Sequence, residues 1–159
     1  MEILDLRFHD FNGPLVNFKT KEYVFPSIFE FMTNNEKYKD FIVIDEHIAD
    51  IVMRCNSHGI KTYYCCSGHP LDKYYDPGHI SPKFSAYISF ERKPIIKHMF
   101  DNSKYWNVED GYIEMGQTPA YTICTKPGCH SFKQWYKAMN ELRYRFSHLT
   151  NEFRQIYIN

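Results

Sequence analysis

The strongest structural signal in the chain is a hydrophobic repeat that runs unbroken through its C-terminal segment. Apolar residues there alternate spacings of three and four, a 3.5-residue repeat typical of a long amphipathic helix. Ser131 is placed to cap that helix, and neither Gly nor Pro interrupts the run. The pattern predicts one helix over residues 131–157, about 40 Å long. The repeat consists of Phe132, Trp135, Met139, Leu142, Phe146, Leu149, Phe153 and Ile156.

The narrow apolar stripe of this helix allows two packing arrangements. It can pack against a sheet of its own chain, or it can pair with a second copy. Trp135, Phe146 and Phe153 are bulkier than usual dimer-core residues, which weakens a pure coiled coil. We expect the first half to pack on a sheet and the second half to contact a partner, which predicts a homo-oligomer.

Upstream of this repeat the patterns alternate between helix and strand. Residues 45–59 have helical spacing, with Asp45 placed to cap the start and Gly59 to end it. Residues 1–40 are hard to assign, with a strand at 3–8 and a short helix at 27–32 as candidates. The chain is therefore expected to be α+β, with a mixed or antiparallel sheet covered by helices. Further along, the patterns predict strands at 60–66, 84–90, 105–115 and 121–125, a loop at 71–83, a short helix at 93–100 and a hairpin turn near Asp110-Gly111.

Length and charge limit what this fold can do. A chain of 159 residues without repeats or long linkers is expected to form a single domain over residues 1–159. The 19 basic and 19 acidic residues cancel, so a nucleic-acid site would have to be a local patch. Five cysteines and an N-terminus unlike a signal peptide predict reduced thiols and a cytoplasmic location. No apolar run approaches the roughly 20 residues of a membrane helix, so no membrane partner is expected.

The densest group of polar residues follows the strand predicted at 60–66. Cys66, Ser67, Gly68 and His69 form a tight turn there. Gly68 lacks a Cβ, so backbone N–H groups can approach a ligand closely, while Ser67 and His69 offer hydrogen bonds. The turn could cradle an anionic or nucleotide-like group. It could equally be an ordinary turn whose Ser and Gly satisfy the backbone.

Aromatic residues make up 18% of the chain, with 13 Tyr and 13 Phe. The accompanying excess of Ile, Lys and Asn indicates that AT-rich codon usage accounts for most of them, so individual positions must carry the argument. Aromatic faces suit stacking on flat rings. The candidate ligand-binding residues beside the turn are Tyr63, Tyr64, Tyr87, Tyr121, Ser89 on the strand at 84–90, and His79 in the flanking loop.

Metal binding and thiol catalysis are weaker interpretations of the same region. Cys65 and Cys66 are adjacent on a strand, so their side chains point to opposite faces and do not easily share one ion. A nucleophilic thiol would need a nearby base such as His69 or His79 and a lowered pKa, which the spacing does not indicate. We therefore predict no metal site and no catalytic residue.

The order of elements and one short motif resemble the wybutosine-synthesising tRNA methyltransferase family over residues 44–157. Ile44-Asp45-Glu46 matches a helix start in that family, and Cys66-Ser67-Gly68 matches its strand-end motif. The strands at 86–90 and 121–125 are also similar. The resemblance implies an α+β fold, S-adenosylmethionine as cofactor and tRNA as substrate. His69 stands where the family has an Arg, and the family's Gly-Phe-Arg segment has no clear counterpart at 104–111.

These observations favour a binding protein over an enzyme. The leading hypothesis is a small-molecule, nucleotide- or nucleoside-type binding protein without a cofactor. A phage-encoded protein that sequesters a nucleotide immune signal in the host cytoplasm would fit such a compact chain. The alternative, implied by the resemblance, is an S-adenosylmethionine-dependent tRNA methyltransferase. The missing arginines remove fixed charge suited to tRNA phosphates, which weighs against that alternative.

Overall fold

The computed structural model describes residues 13–68 and 83–158. The fold is α+β, as the patterns predict, and the chain divides into two compact units, residues 1–58 with 150–159 and residues 59–149. The prediction of a single domain stays a prediction, because a division by contacts does not test whether the units unfold together. The predicted strand at 3–8, His69, His79 and nearly all of the 71–83 loop lie outside the described residues.

The first unit is built on a small mixed sheet. Its strands are β1 (Leu15–Asn17), β2 (Glu22–Val24), β3 (Ile42–Val43) and β8 (Arg154–Gln155), in the order β3-β1-β2-β8, with β8 parallel to β2. Helix α1 (Ile28–Thr33) begins at Ser27, whose side chain accepts a hydrogen bond from the Glu30 N–H, in agreement with the candidate helix. The core cluster of this unit consists of Leu15, Val24, Phe31 and Tyr38, with Phe41, Val43 and Ile156 packed against it.

Helix α2 (Glu46–Ser57) also belongs to the first unit and confirms the helical spacing of residues 45–59. Gly59 follows the last turn with φ of +72°, a left-handed conformation that glycine adopts without steric cost. The glycine therefore ends the helix where the sequence predicts.

The second unit holds a four-stranded antiparallel sheet. Its strands are β4 (Thr62–Cys66), β5 (Tyr87–Glu91), β6 (Trp106–Ile113) and β7 (Thr118–Thr125), in the order β4-β5-β7-β6. Helix α3 (Pro94–Met99) follows β5, and α4 (Phe132–Phe146) follows β7. One face of the sheet is covered by α4. The Trp106 indole N–H donates to the Ala138 carbonyl at 2.8 Å, and the Phe90 ring stacks on Phe146 at 6.0 Å.

The turn of the β6–β7 hairpin lies later than the sequence suggests. Asp110 and Gly111 are inside β6, where Gly111 pairs with Ala120. The turn is made instead by Glu114, Met115 and Gly116, all of which have positive φ. An Asp-Gly pair favours a turn only through local backbone preference, and here the longer strand pairing outweighs it.

The predicted helix over residues 131–157 is wrong beyond Phe146. Polar residues that follow compete with helical hydrogen bonding: the Ser147 hydroxyl donates to the Tyr144 carbonyl at 2.7 Å, and the Asn151 side chain accepts from the Phe153 N–H at 3.0 Å. Phe153 packs against Phe18 of its own chain, with ring centroids 5.6 Å apart. The segment assigned to an oligomer contact is thus not helical, which removes the basis of that prediction.

Candidate functional site

One end of the second unit's sheet brings several loops together. Because neighbouring strands are antiparallel, β4 and β7 end at this end of the sheet, and β5 and β6 begin there. The predicted Cys66-Ser67-Gly68 turn, the segment before β5, the segment before β6 and the loop after β7 therefore meet at one place. Helix α4 begins at the same end, since the Trp135 indole N–H donates to the Ser67 carbonyl at 2.7 Å.

The structure accounts for Gly68 through packing. Its φ is +82°, and a Cβ at this position would lie 2.8 Å from the Ser85 carbonyl oxygen and 2.9 Å from that of Lys83. Carbonyl oxygens carry partial negative charge, so the groups closest to Gly68 do not attract an anion. Its N–H lies 3.4 Å from the Cys66 sulfur, to which it donates. The glycine thus allows two chain segments to approach each other.

Five of the predicted residues lie along the β4–β5 pair. Cys66 pairs with Tyr87, so the two share a face of the sheet. The register shifts between Thr62 and Cys65, and this irregularity places Tyr63 and Tyr64 opposite the single residue Ser89. Tyr64 is 55% exposed, whereas Ser89 is buried and its hydroxyl lies 2.9 Å from the Thr122 hydroxyl.

Tyr121 does not join that group. It pairs with Phe90, which faces α4, and therefore lies on the opposite face from Tyr87 and Ser89. Its ring instead neighbours Arg92, whose guanidinium carbon lies 5.8 Å from the ring centroid. Arg92 in turn forms an ion pair of 2.6 Å with Asp110.

A cavity of about 290 Å³ opens at the same end of the sheet. It lies between the segment before β6, the loop after β7 and the first turn of α4. Lys126 and Cys129 close a tight turn in that loop through a 3.0 Å backbone hydrogen bond, and the Lys126 N–H donates to the Tyr105 carbonyl at 2.8 Å. The lining residues are Lys104, Tyr105, Lys126, Gly128, Cys129 and Gln134.

Glu141, a residue of α4, fixes the segment before β6, which forms one wall of this cavity. Its carboxylate accepts hydrogen bonds from the Ser103 hydroxyl at 2.7 Å and from the N–H groups of Lys104 at 3.0 Å and Tyr105 at 3.3 Å. Arg145, one helical turn further, contacts the same carboxylate at 3.3 Å. One helix therefore supplies both Gln134 in the cavity and the anchor of the facing segment.

The opposite wall is fixed by the start of α4. Ser131 and Gln134 form a capping box, in which the Ser131 hydroxyl accepts from the Gln134 N–H at 3.2 Å. The Gln134 side-chain oxygen accepts from the N–H groups of His130 at 2.8 Å and Ser131 at 3.1 Å. Gln134 is thereby held in a single orientation at the cavity.

Cys124 and Cys129, at this end of the sheet, are poor nucleophiles. Burial raises the pKa of the Cys129 thiol, which lies 3.3 Å from the Phe84 carbonyl oxygen. Burial, with a smaller contribution from Glu109, raises the pKa of Cys124 to about 11. Both thiols are therefore protonated at neutral pH, and a thiol must lose its proton to act as a nucleophile.

In comparisons with family models, curated proteins and solved structures, the chain matches none of them. Within residues 13–68 and 83–158 there is no cluster of three or more His, Cys, Asp or Glu that could hold a metal ion. In the same part of the chain, no helix is both long enough and apolar enough to cross a bilayer.

None of the described residues predicted from the sequence to bind a ligand lines the cavity. Lys104, Lys126 and Gln134 are far apart in sequence, and no short motif joins them. The Ser131-x-x-Gln134 spacing of the capping box was the one available signal, because it fixes where α4 begins. The cavity follows from that start and from the strand order.

Proposed function

We propose that this chain binds a small nucleotide-type molecule at the end of the second unit's sheet and holds it without converting it. The observation that carries the proposal is the cavity of about 290 Å³ between the segment before β6, the loop after β7 and the start of α4. Sites for small molecules usually begin at about this volume. The cavity is small for a dinucleotide, so the proposal is limited to mononucleotides.

The composition of the cavity supports recognition of a molecule with both flat and charged parts. Tyr105 offers an aromatic ring, and Lys104 and Lys126 offer positive charge. Cys129, with its raised pKa, provides no activated nucleophile. These features support binding, and sequestration of a nucleotide signal is the biological use that we propose for it.

Titration calorimetry with a panel of nucleotides tests this proposal. We expect one or more nucleotides to bind in a 1:1 ratio, and mass spectrometry of the recovered ligand to show it unchanged. A Gly128→Leu variant tests the cavity directly: a Cβ at Gly128 meets no atom within 4 Å, so the fold accepts the side chain, and we expect its bulk at the cavity lining to weaken binding.

Two results would contradict the proposal. Absence of binding to every nucleotide in the panel would remove it. Transfer of a methyl group from S-adenosylmethionine to tRNA, measured with tritiated cofactor, would replace it with the methyltransferase alternative.

A further inference from the structure

We infer that the cavity recognises its ligand through a phosphate group, so that the ligand is a nucleotide rather than a nucleoside. The inference rests on the proposed function and adds the chemical group that determines affinity. Some hydrogen-bonding groups around the cavity already have partners within the protein, and those that remain for a ligand are mainly donors.

The backbone groups that frame the cavity are largely occupied within the protein. The N–H groups of Lys104 and Tyr105 donate to Glu141. The Lys126 N–H donates to the Tyr105 carbonyl, and the Cys129 N–H donates to the Lys126 carbonyl. A ligand must therefore be recognised mainly by side chains.

The side chains that remain present hydrogen-bond donors. The Gln134 oxygen is taken by the N–H groups of His130 and Ser131, so its amide NH₂ is what the side chain has left to offer. Lys126 donates one proton of its ammonium group to the Ser103 carbonyl at 2.7 Å and keeps two. The Cys129 S–H is directed to the Phe84 carbonyl. A ligand that fits this lining must supply acceptors.

The charge of the lining points the same way. Neither Lys104 nor Lys126 forms an ion pair with another described residue. The carboxylate of Glu141, which holds the segment of Lys104, is engaged by Ser103, by two backbone N–H groups and by Arg145. Both lysines line the cavity, and neither has a neutralising carboxylate partner in the described chain.

A phosphate monoester matches both requirements. It carries a charge of about −1.5 to −2 at neutral pH and three strong acceptor oxygens. S-adenosylmethionine matches them poorly, because its sulfonium and ammonium groups would add positive charge beside two lysines. A nucleoside matches the donors only through weak neutral acceptors.

Titration calorimetry with paired ligands tests this inference. The probes are the four common nucleosides, their 5′-monophosphates and inorganic phosphate. Charge-assisted hydrogen bonds are about twice as strong as neutral ones, so we expect the best monophosphate to bind at least about 10-fold more tightly than its nucleoside. Lys104→Met should weaken the monophosphate by a similar factor and leave the nucleoside unchanged.

A matched pair at Gly128 separates charge from bulk. Gly128 does not have a positive φ, and a Cβ there meets no atom within 4 Å, so the turn accepts a side chain. Gly128→Gln and Gly128→Glu add side chains of nearly equal size. We expect the Glu variant to bind the monophosphate at least about 10-fold more weakly than the Gln variant, because only it adds a negative charge.

The outcomes distinguish this inference from the proposed function. Equal binding of nucleosides and monophosphates, with no difference between the two Gly128 variants, would overturn the inference and leave the proposed function intact. Binding of inorganic phosphate as tightly as any nucleotide would support phosphate recognition and overturn the nucleotide proposal. Absence of binding to any of the probes would overturn both.

Discussion

Replacing Glu141 should destabilise the second unit and loosen the cavity together. The carboxylate is half-buried and accepts hydrogen bonds from Ser103, Lys104 and Tyr105. Hydrogen bonds to charged groups contribute about 1.5–3 kcal/mol when the donor is shielded from water. The Lys104 N–H is exposed and is expected to find water instead. Counting only the two shielded donors, at about 1.5 kcal/mol each, Glu141→Ala should lower the free energy of unfolding by about 3 kcal/mol.

The loss of stability is limited at Arg145, because this side chain keeps other hydrogen-bond partners when Glu141 is removed. Its guanidinium also donates to the carbonyl groups of Met99 and Asp101, so removing Glu141 does not leave it without a hydrogen bond. Glu141→Gln retains one acceptor oxygen and should cost about half as much as Glu141→Ala. For a protein of this size, a loss of about 3 kcal/mol lowers the melting temperature by about 6–12 °C.

Thermal and urea unfolding followed by circular dichroism measure both variants. Asn140→Ala is the matched control, because Asn140 is exposed on the same helix, and we expect it to change stability by less than about 0.5 kcal/mol. If Glu141→Ala were as stable as Asn140→Ala, the carboxylate would not anchor the segment before β6. The proposed origin of the cavity wall would then be wrong.

Three further outcomes follow from the same structure. In urea unfolding, Gly68→Ala should lower the free energy of unfolding by about 2 kcal/mol or more, against about 1 kcal/mol for Gly116→Ala. Both glycines have positive φ, but only Gly68 has carbonyl oxygens within 3 Å of the added Cβ. Equal losses in the two variants would contradict the packing role of Gly68. Ser131→Ala should cost about 1 kcal/mol through loss of the helix cap, and an unchanged melting temperature would contradict the capping box. At pH 8 the Cys124 thiol should react with iodoacetamide about 100-fold more slowly than an ordinary cysteine, because its pKa of about 11 lies above the usual 9.0 and leaves little thiolate. Glu109→Gln should speed the reaction, because it removes a negative charge that raises this pKa. Labelling of Cys124 at the ordinary rate would refute the raised pKa. Because folding raises the pKa of Cys124, the folded state favours the neutral thiol. Any stability that this contributes is fully present below about pH 9 and is lost as the pH rises toward 11.

Local patterns predicted those elements whose ends have chemical signals. Helix α2 ends shortly before Gly59, and Ser131 caps the start of α4. A left-handed glycine and a capping side chain are local signals, so both helix ends can be predicted from a few neighbouring residues. The extent of α4 was overestimated for the opposite reason. Hydrophobic spacing continues through Leu149 and Phe153, which are buried although the chain there is no longer helical. Spacing reports burial, and burial alone does not prove a helix.

The residues of the cavity were not predictable from the sequence, because none of the described residues predicted to bind a ligand lines it. The Cys66-Ser67-Gly68 turn lies at the same end of the sheet as the cavity, since β4 stops at Cys66. Its glycine is explained by backbone packing. The two lysines flank the β6–β7 hairpin, and the pairing of Trp106 with Thr125 brings them together. That register depends on a turn at residues 114–116, which the sequence patterns placed too early.

The orientation of Gln134 links occupancy of the cavity to the integrity of a helix. The oxygen of its planar amide accepts from the N–H groups of His130 and Ser131, which leaves the amide nitrogen for a ligand in the cavity that this side chain lines. An anion that accepts a hydrogen bond from that nitrogen polarises the amide and strengthens the bonds at the oxygen. By thermodynamic reciprocity, a well-formed first turn then favours the bound anion by the same amount. A ligand in the cavity should accordingly slow hydrogen exchange at the backbone amides of His130 and Ser131, so the start of the helix would report whether the cavity is filled.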